Sequence, residues 1–543
     1  MKRFKLFLAM AALACAIGLT VKYGSTYRPV VEPVREIEEI WALEDAREES
    51  GEPLVTRLFC NGIPMVYDAE NNVFYGSLGL ENGAQWPKIK LTASEETAKG
   101  LSLCFADDYG FDDCDAAIRE GYSYQIFAYT DTAYSYAEVV FTGLPLVNVT
   151  AEQTIEREDV PAQIEIALAA EGLQTNGRIH KRGGASILND KVGYKLEFTR
   201  TTDGKKKIYR EIPGMGTDSQ VILLPMNALD TTMMRDRLSW ALYARLTRRD
   251  EPFSARKTQY CELFLNGEYR GVYLMLEPFS VRQEVAKAGE ERLTTDSVYR
   301  TAVISLSHGR PCMEDPYSAA TGFELYYPMD GEPDFSPLAD YFALLGETDD
   351  AAFMRRAAQI IDLDSALRYD VVLQLFGLTD NVINNMYTWA QNSRGHTRYR
   401  FDFWDLDVSW GLKRDEIGEM HENWVFFPLV DRLLRADEEG GVRKRYGEIY
   451  REVREKAFDA ETVEALVGQY AHELNDSGAM ARNAERWETE NYAADGYELV
   501  AFAAERIALL DEPVRAMSAG EEIDLRFLEK TNYDDKGTPL SEE

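Results

Sequence analysis

Histidine and cysteine are scarce in this 543-residue chain, which has five of the first and six of the second. No C-x-x-C and no H-E-x-x-H occurs and the histidines are scattered, so a zinc centre is not expected. With Cys15 set aside in the leading apolar run, the remaining cysteines are Cys60, Cys104, Cys114, Cys261 and Cys312. That odd number does not make a complete disulfide framework, although Cys104 and Cys114 flank one loop and are the pair an oxidising compartment would join. Basic residues are also short, 59 against 93 acidic, for a formal charge of −34. Such a balance excludes nucleic-acid backbone and anionic membrane surfaces as natural partners. It suits a basic protein partner, and equally serves plain solubility. Neither a Walker A loop nor G-x-G-x-x-G is present, so there is no standard nucleotide fingerprint. No repeat period or low-complexity tract stands out.

What is present points to a packed, exported, multidomain protein. Apolar residues make up 45% and aromatics 11%, enough for real cores, and the length suits two or three domains. Lys2, Arg3 and Lys5 precede an almost unbroken apolar run from Leu6 to Val21. This is the pattern of an export signal, read as a signal peptide or signal-anchor over residues 1–25, with residues 6–21 as a membrane anchor if uncleaved. Residues 26–50, with Pro29, Pro33 and an acidic run, read as a stalk, an extended piece leading to a short exposed helix. From 51 to 150 short strands recur between turns, among them Leu54–Phe59 before Asn61-Gly62, Tyr122–Tyr129 and Ala137–Phe141, which predicts a small all-β sandwich. The acidic loop from Asp107 to Asp115 lacks the EF-hand glycine and glutamate and reads as a solvated loop rather than a calcium site.

Residues 151–525 read as an α+β unit, followed by a flexible tail, 526–543. Its early part offers a loop, Arg182-Gly183-Gly184-Ala185-Ser186, before a strand from Lys191 to Phe198. Backbone N–H groups of such a loop, with Arg182 and Ser186, can wrap phosphate oxygens, and Lys191 and Lys195 share one strand face. In isolation a plain turn with two exposed lysines explains the segment as well. A helix is predicted from Thr231 to Leu246, with Arg235 and Asp236 in its early turns. A hairpin from Thr258 to Leu276 around Asn266-Gly267 ends at Glu277-Pro278.

The most informative stretch runs from Leu378 to Gly411. A helical run, Leu367–Phe376, delivers Asp380, and Asn385 follows five residues later. A strand (Met386–Ala390), a turn containing Gly395 and a second strand (Arg398–Phe403) then lead to Trp404-Asp405-Leu406-Asp407. Acid, amide at plus five, hairpin, acid is the order of the catalytic half of a protein kinase. Phosphoryl transfer needs a carboxylate beside the incoming hydroxyl, and separate oxygen ligands for a hard cation that bridges phosphates. Taken singly, these acids read as a helix-end turn and solvated strand residues; the spacing of the set is what carries the signal. Helical spacing over Pro428–Arg435, Val442–Phe458, Ala460–Leu474 and Tyr497–Leu510 predicts core helices of a larger lobe.

Five segments together resemble the spore-coat kinase (CotH) family of atypical secreted protein kinases. They are Arg182–Ser186 with the Lys191–Phe198 strand; Asn227-x-x-Asp230-x-x-x-x-Arg235-Asp236; Asn266 to Leu274; Asp380 with Asn385; and Trp404 to Gly411. The resemblance covers roughly residues 160–520. It implies a two-lobed kinase-like domain, Asp380 as catalytic acid/base, and Asn385, Asp405 and Asp407 as ligands of Mg²⁺ or Mn²⁺. It also implies ATP as donor, with Arg182, Ser186, Lys191, Lys195 and the hinge position Glu277 on the cofactor, and a protein Ser or Thr as acceptor, in a basic or Ser-rich partner. Between the two lysines, Lys195 is favoured for the phosphates. Leu378-Thr379 stands where ordinary kinases have His-Arg. A non-catalytic coat or adhesion protein with the same fold, and nucleotidyl transfer in the same cleft, remain alternative readings.

Overall fold

A computed structural model describes residues 30–33, 35–80, 89–94, 100–106, 114–183, 185–226, 230–246, 255–279, 296–302, 306–307, 310–311, 322–328, 334–393, 396–412, 424–489, 493–521, 532–533 and 539–540. The signal or anchor segment, the loop 107–113, Gly184, Asn227, Cys15, Cys312 and most of the tail lie outside the described residues. No helix among the described residues is long and apolar enough to cross a membrane.

The protein is a mixed α/β structure. Its first part holds two sheets. The larger sets Val31–Glu32, Ser102–Phe105, Ser123–Tyr129, Ala133–Thr142, Val73–Ser77 and Val66–Asp68 side by side, and it is mixed: Ala133–Thr142 pairs antiparallel with Ser123–Tyr129 but parallel with Val73–Ser77. The smaller sheet is Ile63–Pro64, Leu58–Cys60 and Leu91–Ala93. Alternating side chains of both sheets, such as Leu58, Phe74, Leu91, Ile126 and Val139, meet in one buried cluster. The short helix expected in the acidic run before residue 50 is Ile37–Asp45, whereas the helix Cys114–Glu120 was not expected within the all-β stretch. Cys104 is a free thiol packed with Ile40 and Phe127, whereas Cys114 belongs to the main cluster. The suggested Cys104–Cys114 bridge therefore does not form; alternation sends the Cys104 side chain to the opposite face.

Seven strands then close into a barrel: β1 (Leu146–Thr150), β2 (Val160–Leu168), β3 (Glu171–Arg182), β4 (Gly193–Thr199), β5 (Gln220–Leu224), β6 (Thr258–Leu265) and β7 (Glu268–Leu276). The order is β1-β2-β3-β4-β5-β7-β6, and parallel pairing of β6 with β1 closes it. Tyr194, Leu196 and Phe198 of β4, with Ile164, Leu223, Leu263 and Met275, fill the interior. Strand β1 falls before the boundary expected at residue 150, so the barrel begins earlier than the change of sequence pattern suggests. Helix α1 (Arg235–Ala244) starts four residues after the expected Thr231, because the Asp230 carboxylate takes the backbone N–H groups of Thr232 and Arg235 and holds a turn there.

Beyond the barrel, β8 (Ser297–Ala302), β9 (Phe323–Tyr327), β10 (Asn384–Ser393) and β11 (His396–Phe403) form an antiparallel sheet ordered β9-β8-β10-β11. Helix α2 (Leu363–Phe376) packs on it, with Tyr369 stacked on Phe403 at 4.1 Å. Helices α3 (Gly441–Lys456), α4 (Ala460–Asp476), α5 (Ala479–Arg486) and α6 (Tyr497–Ala519) follow, after the expected short helix Pro428–Arg435. Of these, α5 was not anticipated from apolar spacing.

Candidate active site

Helix α2 is delimited by its own sequence. At its start the Asp362 side chain accepts the Ser365 N–H, and at its end Gly377 adopts a left-handed φ of 66° while Leu378 N–H returns to the Leu373 carbonyl at 3.1 Å. The chain then turns through Asp380–Ile383 and enters β10. Asp380, only 2% exposed, accepts the Asn385 side-chain N–H at 2.8 Å and that of Asn384 at 3.2 Å.

The hairpin brings the second acidic segment alongside. Met386 pairs with Phe403, and one step further the Trp404 N–H donates to the Asn385 carbonyl at 2.9 Å. At this point both strands leave the ladder, with Asn385 and Asp405 at left-handed φ values of 56° and 58°. Asn and Asp tolerate that region better than other non-glycine residues, and it turns both side chains out of the strand alternation. Asn381 ties the layers together, giving its side-chain N–H to the Trp404 carbonyl at 2.8 Å while its own carbonyl accepts from Tyr369 OH at 2.7 Å. The Asp380–Asn385 pair and the turn that carries Asp405 thus meet at one corner.

Helix α1 holds that corner from the other side. Leu406 N–H donates to the Asp236 carboxylate at 3.0 Å, Arg235 Nε to the Ser409 carbonyl at 3.1 Å, and Trp410 Nε1 to Ser239 Oγ at 2.8 Å. Burial pushes the Asp236 pKa well above the usual carboxylate range, and the nearby charges of Asp407 and Asp405 push it further. The site is accordingly rich in carboxylate oxygen. Among the described residues no three acidic, histidine or cysteine side chains converge as a finished metal cage. Two carboxylates and an amide fit a Mg²⁺ that keeps waters and takes most of its remaining ligands from phosphate.

The basic residues divide. Arg182, at the end of β3, lies 5.6 Å over the Trp404 ring, next to Asp405. Lys195 lies on the outer face of β4, and burial lowers its pKa, helped by Lys207 and Arg182 and opposed by Glu197 and Asp159. Lys191 is not brought to this corner. Strand β4 begins only at Gly193, so strand alternation does not extend back to Lys191. Its Nζ donates to the Val272 carbonyl at 2.7 Å and to Asn483 Oδ1 at 2.9 Å, between the rings of Tyr273 and Trp487. Glu277 follows β7, where its carboxylate accepts Lys257 N–H at 3.2 Å; two residues on, Phe279 stacks on Tyr387 at 4.2 Å. Ser186 falls in the short turn Ala185–Leu188, and its side chain lies outside the described set. Asp236, Asn381 and Asn384 were not singled out for the site. An acid in the first turn of a helix with almost no exposed face, and the doublet Asn384-Asn385, were the available signals.

The sequence model of the CotH kinase protein family matches residues 179–510, more than half of the chain. The chain belongs to the CotH kinase family. No curated protein matches it significantly. The matched span runs from the end of β3, with Arg182, into helix α6, and takes in α1, α2, β10 and β11.

Proposed function

We propose that this CotH-family protein is an exported, atypical Ser/Thr protein kinase that transfers the γ-phosphoryl group of ATP to a protein hydroxyl, in a two-lobed kinase-like domain. The observation that carries the reading is the joining of Asp380 to Asn385 through 2.8 Å and of Asn385 to the Trp404–Asp405 turn through 2.9 Å.

In this reading Asp380 orients the acceptor hydroxyl and takes its proton as the oxygen attacks phosphorus. Asn384 and Asn385 keep the carboxylate pointed at one position, an orientation that water alone would not hold. Asn385, Asp405 and Asp407 would hold a divalent cation, which when bound supplies charge neutralisation on the β- and γ-phosphates. Arg182 and Lys195 add positive charge on the barrel side, where a polyanion would otherwise face several carboxylates. The stretch before the barrel serves as a spacer or protein-binding module, and residues 1–25 direct export.

The test is transfer from γ-labelled ATP to a casein-type acceptor with Mg²⁺ or Mn²⁺. Asp380→Asn and Asp405→Asn are each expected to lower the rate at least about 10²-fold with unchanged melting. Full activity of either variant would remove its residue from the mechanism. A wild-type chain that neither transfers phosphate nor is thermally stabilised by ATP with Mn²⁺ would be a scaffold instead. An acceptor whose mass rises by a nucleotide rather than a phosphate would identify nucleotidyl transfer.

A further inference from the structure

The chain carries −34 overall, yet five of the eleven residues from Arg200 to Arg210 are cationic and one, Asp203, is acidic. This hairpin follows β4 and is firmly built. Arg200 N–H bonds to the Lys206 carbonyl at 2.9 Å, Thr201 Oγ1 donates to the Lys205 carbonyl at 2.9 Å, and Ile208 N–H bonds to the Phe198 carbonyl at 3.0 Å. Ile208 packs on the barrel core, so Lys205, Lys206 and Lys207 are presented outward with Tyr209, which is 59% exposed. Lys205 pairs with Asp203 at 3.0 Å and Lys207 with Glu197 at 3.2 Å, while Lys206 makes no ion pair with a described residue.

The patch continues to the candidate active site. Lys207 pairs with Glu197, which shares the outer face of β4 with Lys195 two residues away. Arg182 ends β3 opposite Gly193, two residues from Lys195 on the other side, and its guanidinium lies over Trp404, the neighbour of Asp405. Of the acids near Lys195 on this outer face, Glu197 and Asp159 are both already engaged by Arg178. Charges farther than about 8 Å through physiological salt are screened, so a segment docked here responds to this stripe and not to the distant acidic surface.

We infer that the outer face of β3 and β4, with the Lys205–Lys207 hairpin, docks an acidic segment of the acceptor polypeptide and leads its hydroxyl residue to Asp380. The inference rests on the kinase reading for the direction of the track, but the docking itself does not require transfer. It makes acidic flanks, not basic ones, the mark of a good acceptor, against what the chain-wide charge alone suggests.

The full-length chain carrying Asp380→Ala is titrated, by fluorescence anisotropy, into a labelled serine peptide flanked by glutamates. A peptide with lysines in place of the glutamates and a single-stranded oligonucleotide of equal charge serve as comparisons. The glutamate peptide is expected to bind best, to weaken with added salt, and to lose at least about tenfold in affinity on joint Lys205→Glu, Lys206→Glu and Lys207→Glu reversal. Lys206→Glu alone, at an exposed position without an ion pair to a described residue, gives a smaller loss in the same direction and guards against misfolding of the triple variant. Unchanged affinity in both variants, or equal binding of the lysine peptide or the oligonucleotide, overturns the inference. Peptide binding by a chain without transferase activity would keep the docking face and discard the kinase reading; transfer to the acidic peptide that is insensitive to the reversals would do the opposite.

Discussion

The carboxylate of Asp236 in helix α1 accepts the backbone N–H of Leu406, between Asp405 and Asp407, at 3.0 Å. One buried acid thereby fixes the segment that carries two others, and burial together with those neighbours raises its pKa. Removing the acceptor leaves a buried N–H without a partner, which costs about 1–3 kcal/mol. Asp236→Ala is expected to lower the melting temperature and the transfer rate together. Asp236→Asn, which can still accept the bond through its carbonyl, is expected to retain most of the stability. Equal melting of the two variants would show that the bond does not hold the segment.

The two lysines predicted for the cofactor are expected to separate cleanly. Lys191 has its donors committed to Val272 and Asn483, and burial lowers its pKa to about 7. Lys191→Met is expected to change stability and leave the KM for ATP within about twofold. Lys195→Met is expected to raise that KM about tenfold or more with little effect on melting. A steady-state ATP titration of both variants, with a melting curve for each, decides the matter; the reverse pattern would restore Lys191 to the phosphates.

What was legible in the sequence was order and periodicity. The helix before Asp380, the Asn384–Phe403 hairpin and most C-terminal helices follow from apolar spacing, and the hairpin joins Met386 to Phe403, seventeen residues apart. What was not legible depended on closure in three dimensions. The closure of the barrel could not be read, because β6, which pairs with β1 across it, lies more than a hundred residues later. The Asp236 contact spans 170 residues, and no local pattern marks it. Lys191 and Lys195 show the same limit at short range: their four-residue spacing places them on one face only if the strand includes both, and β4 begins between them.

Asp370 gives the fold a pH dependence of its own. It is buried in helix α2, with Tyr446 OH at 2.8 Å and Gln374 Nε2 at 3.3 Å, and burial raises its pKa from 3.8 to about 8. The folded state therefore holds a proton that the unfolded chain has released. Its stabilising contribution is full below about pH 4 and declines as pH rises toward 8. Asp370→Asn removes the charge and is expected to flatten stability over that window, gaining on the order of a few kcal/mol over wild type at pH 8 at most. Urea denaturation at pH 5, 7 and 9 reads this directly; wild-type stability that rises between pH 5 and 8, with the variant parallel to it, would contradict the assignment.

Gly377 sets where Asp380 begins its turn, and its replacement tests how rigidly that turn must be held. Its φ of 66° is costly for a residue with a Cβ, and a Cβ there would stand 2.7 Å from Cζ of Phe502 on helix α6. Backbone strain of about 1 kcal/mol adds to the clash, so Gly377→Ala is expected to destabilise by about 1–3 kcal/mol. Relief of the clash moves either Phe502 or the turn, and the two differ in consequence. If Phe502 gives way, only stability falls. If the turn shifts, Asp380 leaves the position that Asn384 and Asn385 fix, and kcat falls with it while the KM for ATP holds. Adding Phe502→Leu to Gly377→Ala removes the clash but not the strain, so it should restore kcat more fully than melting temperature. Recovery of neither would mean that backbone conformation at Gly377, rather than space beside α6, governs the placement of Asp380.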